Sequence, residues 1–481
     1  MERSAGARLL ARVRSGGHWP FAVALALGAL VRVLVQVAFP PGLVFSDGAT
    51  YLAMVDSLIP GENRPAGYGA VLRVLSWVSR DVATISMFQH LLGLVTAVVV
   101  YAALRRWGAS SWVATLATVP VLFDGMQLLL EHSPLSDVVF DLVLVSGLVL
   151  LGWSRPPSIG VTAAAGAVLG LAVLIRVVGE PVLLPAAIFC LLTAVPGRRL
   201  LTAAVVSISF LLPLAAYATW YHSQNGVWAL TEASGRALYM RTTTFVECDR
   251  LDVPDYERVL CPPEPVGSRE DPTEYGWHDE RTVFALRPPS GVTFDQATKD
   301  FALAAIRAQP GSYVRTVLRD FWLGLSSWQR VDRYDYDTAY KWSFSSRVDY
   351  QPSETMAQAY GAHGGEQPRT RHPLGDWLAT YGDHVYVRGP LLLVMALLGI
   401  AGLIVGSSTP LSASRALVFL TGSVALGMLL VPVATAEFVW RYQLPALVLL
   451  PMAAALGWTR VRAAVRSRRE IGVAPPRRTA G

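Results

Sequence analysis

The sequence predicts a mainly α-helical, polytopic membrane protein with a mixed or irregular domain on the extracytoplasmic side. Hydrophobic residues make up 53% of the 481-residue chain and charged residues only 16%, whereas soluble domains carry about 25% charged residues. The hydrophobic residues also cluster in runs close to the ~20 residues that an α-helix needs to cross a bilayer. Both the composition and the pattern therefore indicate a chain that folds in lipid.

About ten runs are long and apolar enough to be candidate membrane spans. They are residues 21–39, 86–104, 110–130, 136–153, 160–178, 181–195, 200–220, 390–405, 416–433 and 444–458. The first run follows several arginines, as in a signal peptide. It is long for a signal peptide, however, and no small-residue cleavage site follows it. We therefore expect it to stay in the protein as the first span.

The placement of arginine predicts the orientation of the spans. With the N-terminus in the cytoplasm, the short loops and tail on that side carry Arg105, Arg106, Arg155, Arg198, Arg199, Arg415, Arg460, Arg462, Arg466, Arg468 and Arg469. This agrees with the rule that cytoplasmic loops are rich in Arg and Lys. Only two lysines occur, Lys299 and Lys341, a bias typical of a high-GC bacterium. We expect a multi-pass protein of the bacterial plasma membrane with both termini in the cytoplasm.

The spans divide the chain into four predicted regions. They are an N-terminal membrane module (1–220), an extracytoplasmic domain (221–388), a C-terminal membrane module (389–459) and a basic cytoplasmic tail (460–481). The second region is polar, aromatic and too long for a loop. Pro310 and Gly311 within it are expected to separate two helices, 294–309 and 313–325.

Two of the three cysteines, Cys248 and Cys261, lie close together in the predicted extracytoplasmic domain. An oxidising compartment favours a disulfide between them. Two free buried thiols are the alternative. No second cysteine pair is present to complete a zinc site.

Polar residues gather in the loops on the predicted outer side, and Asp47, just beyond the first span, is the foremost candidate for chemistry. Tyr51 lies one helical turn later and would share its face, whereas Asp56 would face the opposite way. A carboxylate at the mouth of a membrane cavity can act as a general base. It can equally cap the helix that follows, and spacing alone does not choose between the two.

Five stretches, in order along the chain, resemble the GT-C superfamily, which comprises integral-membrane glycosyltransferases that use polyprenyl-phosphate sugars. They are Phe45–Tyr51 with Asn63–Gly69, Leu130–Pro134, Gly170–Arg176, Ala305–Tyr313 and Trp440–Pro445. The protein-mannosyltransferase-like and aminoarabinose-transferase-like branches are the most similar. Many members have two adjacent acids where this chain has Ser46 and Asp47, and this departure weakens any inference of a metal there.

The resemblance implies a glycosyltransferase that moves a sugar from a polyprenyl-phosphate donor to a cell-envelope glycan, lipid or protein. It implies Asp47 as general base and Glu131 as a second catalytic acid, with inversion at the sugar. Arg64, Arg176 and Arg441 would bind the donor phosphate, because a planar guanidinium can donate two bonds to it. The same motifs make Tyr51, Tyr68, His132 and Tyr442 candidates for substrate binding.

Each of these residues also has a structural alternative. Glu131 can cap a helix, His132 can be a buried polar residue with ordinary partners, and Arg441 can anchor a span end. Arg32, inside the first span, can be functional or can pair with an acid on another helix. We expect no metal or organic cofactor and no nucleic-acid partner. A transporter or lipid flippase for envelope precursors is the alternative function, although the chain has no visible internal repeat.

Overall fold

A computed structural model describes residues 17–154, 156–330, 342–344, 353–365, 367–405 and 413–472, with side chains up to residue 466 and not at residue 413. Arg8, Arg12, Arg14 and Arg155, and the tail beyond residue 472, lie outside these ranges. The described chain is helical and contains no β-strand.

The helices are numbered here in chain order. They are α1 (Trp19–Ala38), α2 (Gly48–Asp56), α3 (Gly67–Leu75), α4 (Val82–Arg106), α5 (Ser111–Phe123), α6 (Gly125–Glu131), α7 (Asp137–Leu151), α8 (Ile159–Ile175), α9 (Leu183–Thr193), α10 (Arg199–Asn225), α11 (Ser234–Thr243), α12 (Pro272–Trp277), α13 (Phe294–Ala308), α14 (Pro310–Ser326), α15 (Glu354–Ala362), α16 (Leu374–His384), α17 (Gly389–Ile404), α18 (Ala413–Thr435) and α19 (Leu444–Gly472). Short 3₁₀ turns occupy Val177–Val182, Cys248–Arg250, Asp255–Leu260 and Trp440–Gln443.

All ten predicted spans coincide with helices, but fewer of them have the length of a full span. By length and composition, five helical stretches among the described residues can cross a membrane, or seven if each of two bent helix pairs is one span. The five lie in α1, α4, α10, α18 and α19, and the bent pairs are α5 with α6 and α16 with α17. The other predicted spans correspond to α7, α8 and α9, which are apolar but shorter than the ~20 residues of a full span.

The predicted span 110–130 is broken at Asp124, where α5 and α6 meet at an angle of 57°. The Asp124 carboxylate accepts hydrogen bonds from the backbone N–H groups of Met126 (2.8 Å) and Gln127 (3.3 Å) and so caps α6. The cap starts a new helix instead of letting α5 continue. It also turns the chain inward, so that α6 carries its last residue, Glu131, into the protein.

The helices form a bundle that exposes large apolar side chains on its outer helices. Leu30 on α1 and Ile208 and Leu212 on α10 are examples, as expected for surfaces that face lipid. Inside the bundle, α8 packs on α7 and α10. Its Gly170 lies against the backbone of Phe210, where a Cβ atom would collide. Small residues permit this kind of close helix contact in membranes.

The segment between α10 and α17 has a hydrophobic core of its own, which includes Tyr239, Leu260, Tyr275 and Phe301. The helix pair α13 and α14 confirms the predicted break at Pro310. Cys248 and Cys261 form the predicted disulfide, while Cys190 is free and buried.

The same segment is fixed to the end of α18. The buried Arg241 donates to Asp320 (2.7 Å) and to the carbonyl oxygen of Val433 (3.1 Å). Thr273 donates to the Glu437 carboxylate at 3.0 Å. These bonds hold the segment over the loop that precedes α19.

Candidate active site

Asp47 lies at the residue before α2, yet its side chain makes no capping bond to that helix. Its carboxylate accepts instead from Arg64 Nη2 at 2.8 Å and from Arg441 Nη1 at 3.2 Å. The alternative that Asp47 serves as a helix cap is therefore wrong. Ser46, just before it, has a φ of 52°, a conformation that costs energy in a residue with a side chain.

Asp137, the first residue of α7, lies beside Asp47 and shares a partner with it. Its carboxylate accepts from Arg441 Nε (2.9 Å) and Nη2 (2.6 Å), so Arg441 binds it through two nitrogens. Arg176, at the end of α8, donates to the same carboxylate. Arg441 thus joins the two acids. Asp47 precedes α2 and Asp137 begins α7, so both lie far in sequence from Arg441, which is just before α19.

We call Asp47, Arg64, Asp137, Arg176 and Arg441 the Asp47 cluster. It contains three guanidinium groups and two carboxylates, and so has one positive charge in excess. The side chains of Asp47 and Arg64 are 21% and 29% exposed, whereas that of Asp137 is 3% exposed. The cluster is therefore open at its Asp47–Arg64 side and closed behind, and its excess charge suits an anionic ligand.

The arginines determine the ionisation of Asp47. Burial raises the pKa of this carboxyl, but Arg64 and Arg441 lower it further, so that the pKa lies well below its ordinary value. For Arg64, burial lowers the pKa and Asp47 raises it by more, so the pKa lies above the ordinary value. Asp47 is consequently ionised throughout the physiological range of pH.

Aromatic rings line the cluster next to its arginines. The guanidinium carbon of Arg64 lies 5.5 Å from the centre of the Trp277 ring, and that of Arg176 lies 5.8 Å from Tyr442. These distances allow cation–π attraction. Trp277 belongs to α12, so the segment between α10 and α17 contributes directly to this site.

Tyr51 and Tyr68 form a wall behind the cluster. Both are buried, and their rings pack edge to face at 4.8 Å. The Tyr51 hydroxyl lies 3.1 Å from Ser136 Oγ, and the Tyr68 hydroxyl donates to Gln89 Oε1 at 2.9 Å. Because both hydroxyls bond within the protein and neither ring reaches the surface, this geometry is at odds with the prediction that they bind substrate.

Glu131 lies in a separate group that does not include Asp47. Its side chain is 0% exposed and pairs with Arg32 (2.6 Å), His90 (2.9 Å) and Gln127 (2.9 Å). Gly93 on α4 makes room for it, since a Cβ atom there would collide with the Glu131 carboxylate. Arg32 therefore pairs with an acid on another helix, one of the two alternatives that its sequence position allows. The buried, fully paired carboxylate of Glu131 favours a structural role over a catalytic one.

His132 belongs to the same buried group. Its Nδ1 lies 3.2 Å from Nε2 of His90, and its Nε2 lies 2.7 Å from the carbonyl oxygen of Phe39. Burial, with His90 nearby, lowers the pKa of His132 to about 3, so its ring is neutral. Since His132 is fully buried, the structural alternative is favoured over substrate binding. We call Arg32, His90, Gln127, Glu131 and His132 the Glu131 cluster.

Sequence reasoning missed two acids on α7. Neither Asp137 nor Asp141 is among the site residues that the sequence predicts. Their spacing of four residues places them on one face of the helix, and acids are rare inside an apolar helix. That combination is the signal that could have found them.

A small cavity extends from the cluster along α7, with room for about one water molecule. Its polar lining consists of Asp137, Asp141, Arg176, Arg441 and Tyr442. The remaining lining is apolar and comes from α7, the turn after α8, α18 and the start of α19.

No protein-family model matches the chain, and no curated protein matches it. Among solved structures, it is similar to the S. cerevisiae protein O-mannosyltransferase Pmt1–Pmt2 complex bound to the sugar donor, at 13% identity and a TM-score of 0.32, over 52% of this chain and 38% of that one. It is similar to ArnT from Cupriavidus metallidurans bound to undecaprenyl phosphate, at 15% identity and a TM-score of 0.36, over 95% and 81% of the two chains.

The chain is also similar to the Archaeoglobus fulgidus oligosaccharyltransferase, at 12% identity and a TM-score of 0.40, over 96% of this chain and 53% of that one. These similarities are of the kind that the sequence predicts, since a protein O-mannosyltransferase is among them. Likeness at TM-scores below 0.5 does not establish a shared function. The function proposed next therefore depends on the geometry of the Asp47 cluster.

Proposed function

We propose that this protein is a glycosyltransferase that moves one sugar from a polyprenyl-phosphate donor to a hydroxyl of an extracytoplasmic cell-envelope acceptor. The observation that supports it best is the Asp47 cluster, in which a partly exposed, ionised carboxylate pairs with Arg64 and shares Arg441 with a second acid. Glycosyl transfer from a lipid phosphate requires a base for the acceptor and cations for the leaving group, and this cluster supplies both.

In the proposed reaction, Asp47 takes the proton of the acceptor hydroxyl. The acceptor oxygen then attacks the anomeric carbon from the face opposite the phosphate. The bond between that carbon and the phosphate oxygen breaks, its electron pair stays on the phosphate, and the sugar configuration is inverted. Arg64, Arg176 and Arg441 stabilise the charge that develops on the departing phosphate.

The pKa of Asp47 adds a condition to this mechanism. A carboxylate whose pKa is held far below its ordinary value by Arg64 and Arg441 is ionised but is a weak base. A phosphate that binds the two arginines competes for the same donors. Donor binding would therefore weaken the ion pairs of Asp47 and raise its pKa. Asp47 would then be more basic when the acceptor hydroxyl is to be activated.

The proposed site lies on the extracytoplasmic side of the membrane. The distribution of arginine among the loops favours an extracytoplasmic position for the Asp47 cluster. The segment 221–388 would then lie outside the bacterial plasma membrane, over the site. Trp277 stands next to Arg64, in a position where a sugar ring could stack on it. The division into two membrane modules, this segment and a basic tail remains part of the proposal.

The test compares Asp47→Asn with Asp56→Asn in purified protein reconstituted in nanodiscs. Asp56 is a matched control because it is the acid at the opposite end of α2, is exposed and pairs with Arg80 outside the cluster. The donors are undecaprenyl-phosphate-linked hexoses and pentoses, the acceptor is a cell-envelope extract, and release of undecaprenyl phosphate is measured. We expect Asp47→Asn to lower the rate by about 10²–10⁴, and Asp56→Asn to match the wild type.

Equal rates for wild type and Asp47→Asn would remove Asp47 as the base. If the wild-type protein released undecaprenyl phosphate from none of these donors, the transferase proposal would fail. Movement of the intact donor across a vesicle bilayer without release would instead identify the transporter class.

A further inference from the structure

Asp141 is a buried acid of α7. Its side chain is 2% exposed, and neither carboxyl oxygen has a hydrogen-bond partner among the residues that the structure describes. Buried polar groups in native proteins are nearly always hydrogen-bonded. An unpartnered buried carboxyl therefore marks a place where a ligand or water completes the bonding.

The carboxyl faces the cavity next to the Asp47 cluster. Arg176 and Arg441, two of the proposed phosphate ligands, line the same cavity, as does Tyr442. Asp141 follows Asp137 by one helical turn, so the two acids lie on one face of α7. Asp137 is occupied by the two arginines, whereas Asp141 has none of these bonds.

The two acids consequently have different chemistry. Asp137 is paired with cations, which stabilise its ionised form. An isolated carboxylate away from water is very costly in its charged form, so a carboxyl such as Asp141 is held as the neutral acid. A neutral carboxylic acid carries one O–H donor, whereas an ionised one can only accept. Asp141 thus presents a hydrogen-bond donor to the cavity, next to two cations.

We propose that Asp141, as a neutral carboxylic acid, donates a hydrogen bond to the phosphate of the polyprenyl carrier alongside Arg176 and Arg441. This inference depends on the function proposed above. It deepens that function by adding to the site a phosphate ligand that must be protonated. An ionised Asp141 would repel the phosphate, so binding of the carrier depends on pH in a way that arginines alone do not produce.

The test measures binding of undecaprenyl phosphate to the full-length protein in nanodiscs as the pH rises. A phosphate monoester has a second pKa of about 6 and is a dianion above about pH 7, so its own charge is constant there. We expect the wild-type affinity to fall by about tenfold or more once the pH is high enough for Asp141 to ionise.

Asp141→Asn is the decisive variant, because the amide keeps a donor but cannot ionise. We expect it to bind like the wild type near pH 7 and to stay constant as the pH rises. Asp141→Leu loses the donor, and we expect its affinity near pH 7 to be about tenfold lower. The structural control is Ser146→Ala, farther along α7, which should reproduce the wild-type curve.

The other groups that face Asp141 are accounted for in the same series. Arg176, Arg441 and Asp137 are present in both the wild type and Asp141→Asn, so a change in their charge would alter the two pH curves equally. Tyr442 is another lining residue that carries a titratable proton. Tyr442→Phe should therefore retain the fall in affinity if Asp141 causes it.

Identical pH curves for wild type and Asp141→Asn would overturn this inference and leave the proposed function standing. So would a fall that disappears in Tyr442→Phe. If the folded wild-type protein did not bind undecaprenyl phosphate at any pH, the proposed function would fail together with the inference.

Discussion

Two groups of charged residues lie within the same bundle, and they differ in exposure and in charge balance. The Glu131 cluster pairs one acid with one arginine, adds neutral histidine, and buries its carboxylate completely. The Asp47 cluster has three arginines for two acids and is open at Asp47 and Arg64. A balanced, closed group stabilises the fold, whereas an unbalanced, open one is suited to bind an anion.

The comparison also separates two acids that the sequence makes look alike. Glu131 and Asp137 are six residues apart, one on each side of the short stretch between two predicted spans. In the structure, Glu131 ends α6 and points to Arg32, while Asp137 begins α7 and points to Arg441. The predictions that follow test this separation, beginning with the largest expected effect.

The largest effect should come from Glu131→Ala. It leaves Arg32 buried without a counter-charge, which costs about 3–5 kcal/mol in the free energy of unfolding. Thermal unfolding in detergent measures this loss, and the folded fraction should keep its transfer rate. Glu131→Gln, which preserves the shape, should be affected less. Wild-type stability together with lost activity in the alanine variant would make Glu131 catalytic after all.

The second effect concerns Arg441, the residue that joins Asp47 to Asp137. Arg441→Gln removes a cation from the proposed leaving-group site, and we expect kcat to fall by about 10²–10³. Steady-state release of undecaprenyl phosphate is the measurement. Arg460→Gln, in the middle of α19, is the control and should behave like the wild type. An unchanged kcat in Arg441→Gln would place the phosphate elsewhere.

The third effect is on the pH dependence, through Arg64. Since Arg64 lowers the pKa of Asp47 and burial raises it, Arg64→Gln should raise that pKa. Asp47 must be ionised to act as a base, so activity is lost as the pH falls through its pKa. The acid limb of kcat/KM should therefore move up by about one to three pH units. Arg73→Gln on α3, whose guanidinium donates to backbone carbonyls, should leave the acid limb in place.

The smallest effect should come from Trp277→Ala. This variant removes the ring next to Arg64, a contact worth about 0.5–1 kcal/mol at exposed sites. We expect the KM for the donor to rise a few-fold and kcat to change little. Trp322, an exposed residue of α14, is the matched aromatic control. Equal KM values for Trp277→Ala and the wild type would exclude Trp277 from the donor site.

The sequence was informative wherever a feature depends on local pattern. Apolar runs located the helices of the bundle, Pro310 marked the break between α13 and α14, and the spacing of Cys248 and Cys261 indicated their disulfide. Asp47, Arg64, Arg176 and Arg441 were predicted as site residues because each lies in a stretch that resembles the GT-C superfamily. Their bonding to one another was not predicted.

What the sequence could not provide depends on contacts between distant helices. The cap formed by Asp124 bends the chain and carries Glu131 to Arg32, a partner 99 residues earlier. Asp137 belongs to the candidate site because it pairs with Arg441, 304 residues later. Asp141 differs from Asp137 only in the absence of such bonds among the described residues. No local pattern distinguishes these three acids, since their roles are set by burial and by tertiary partners.

A structure of the protein with bound undecaprenyl phosphate would test the central claim most directly. The account predicts that the phosphate accepts hydrogen bonds from Arg441 and Arg176 in the Asp47 cluster, while the Arg32–Glu131 pair stays intact. A phosphate bound away from these arginines, with both ion pairs of Asp47 unchanged, would contradict it.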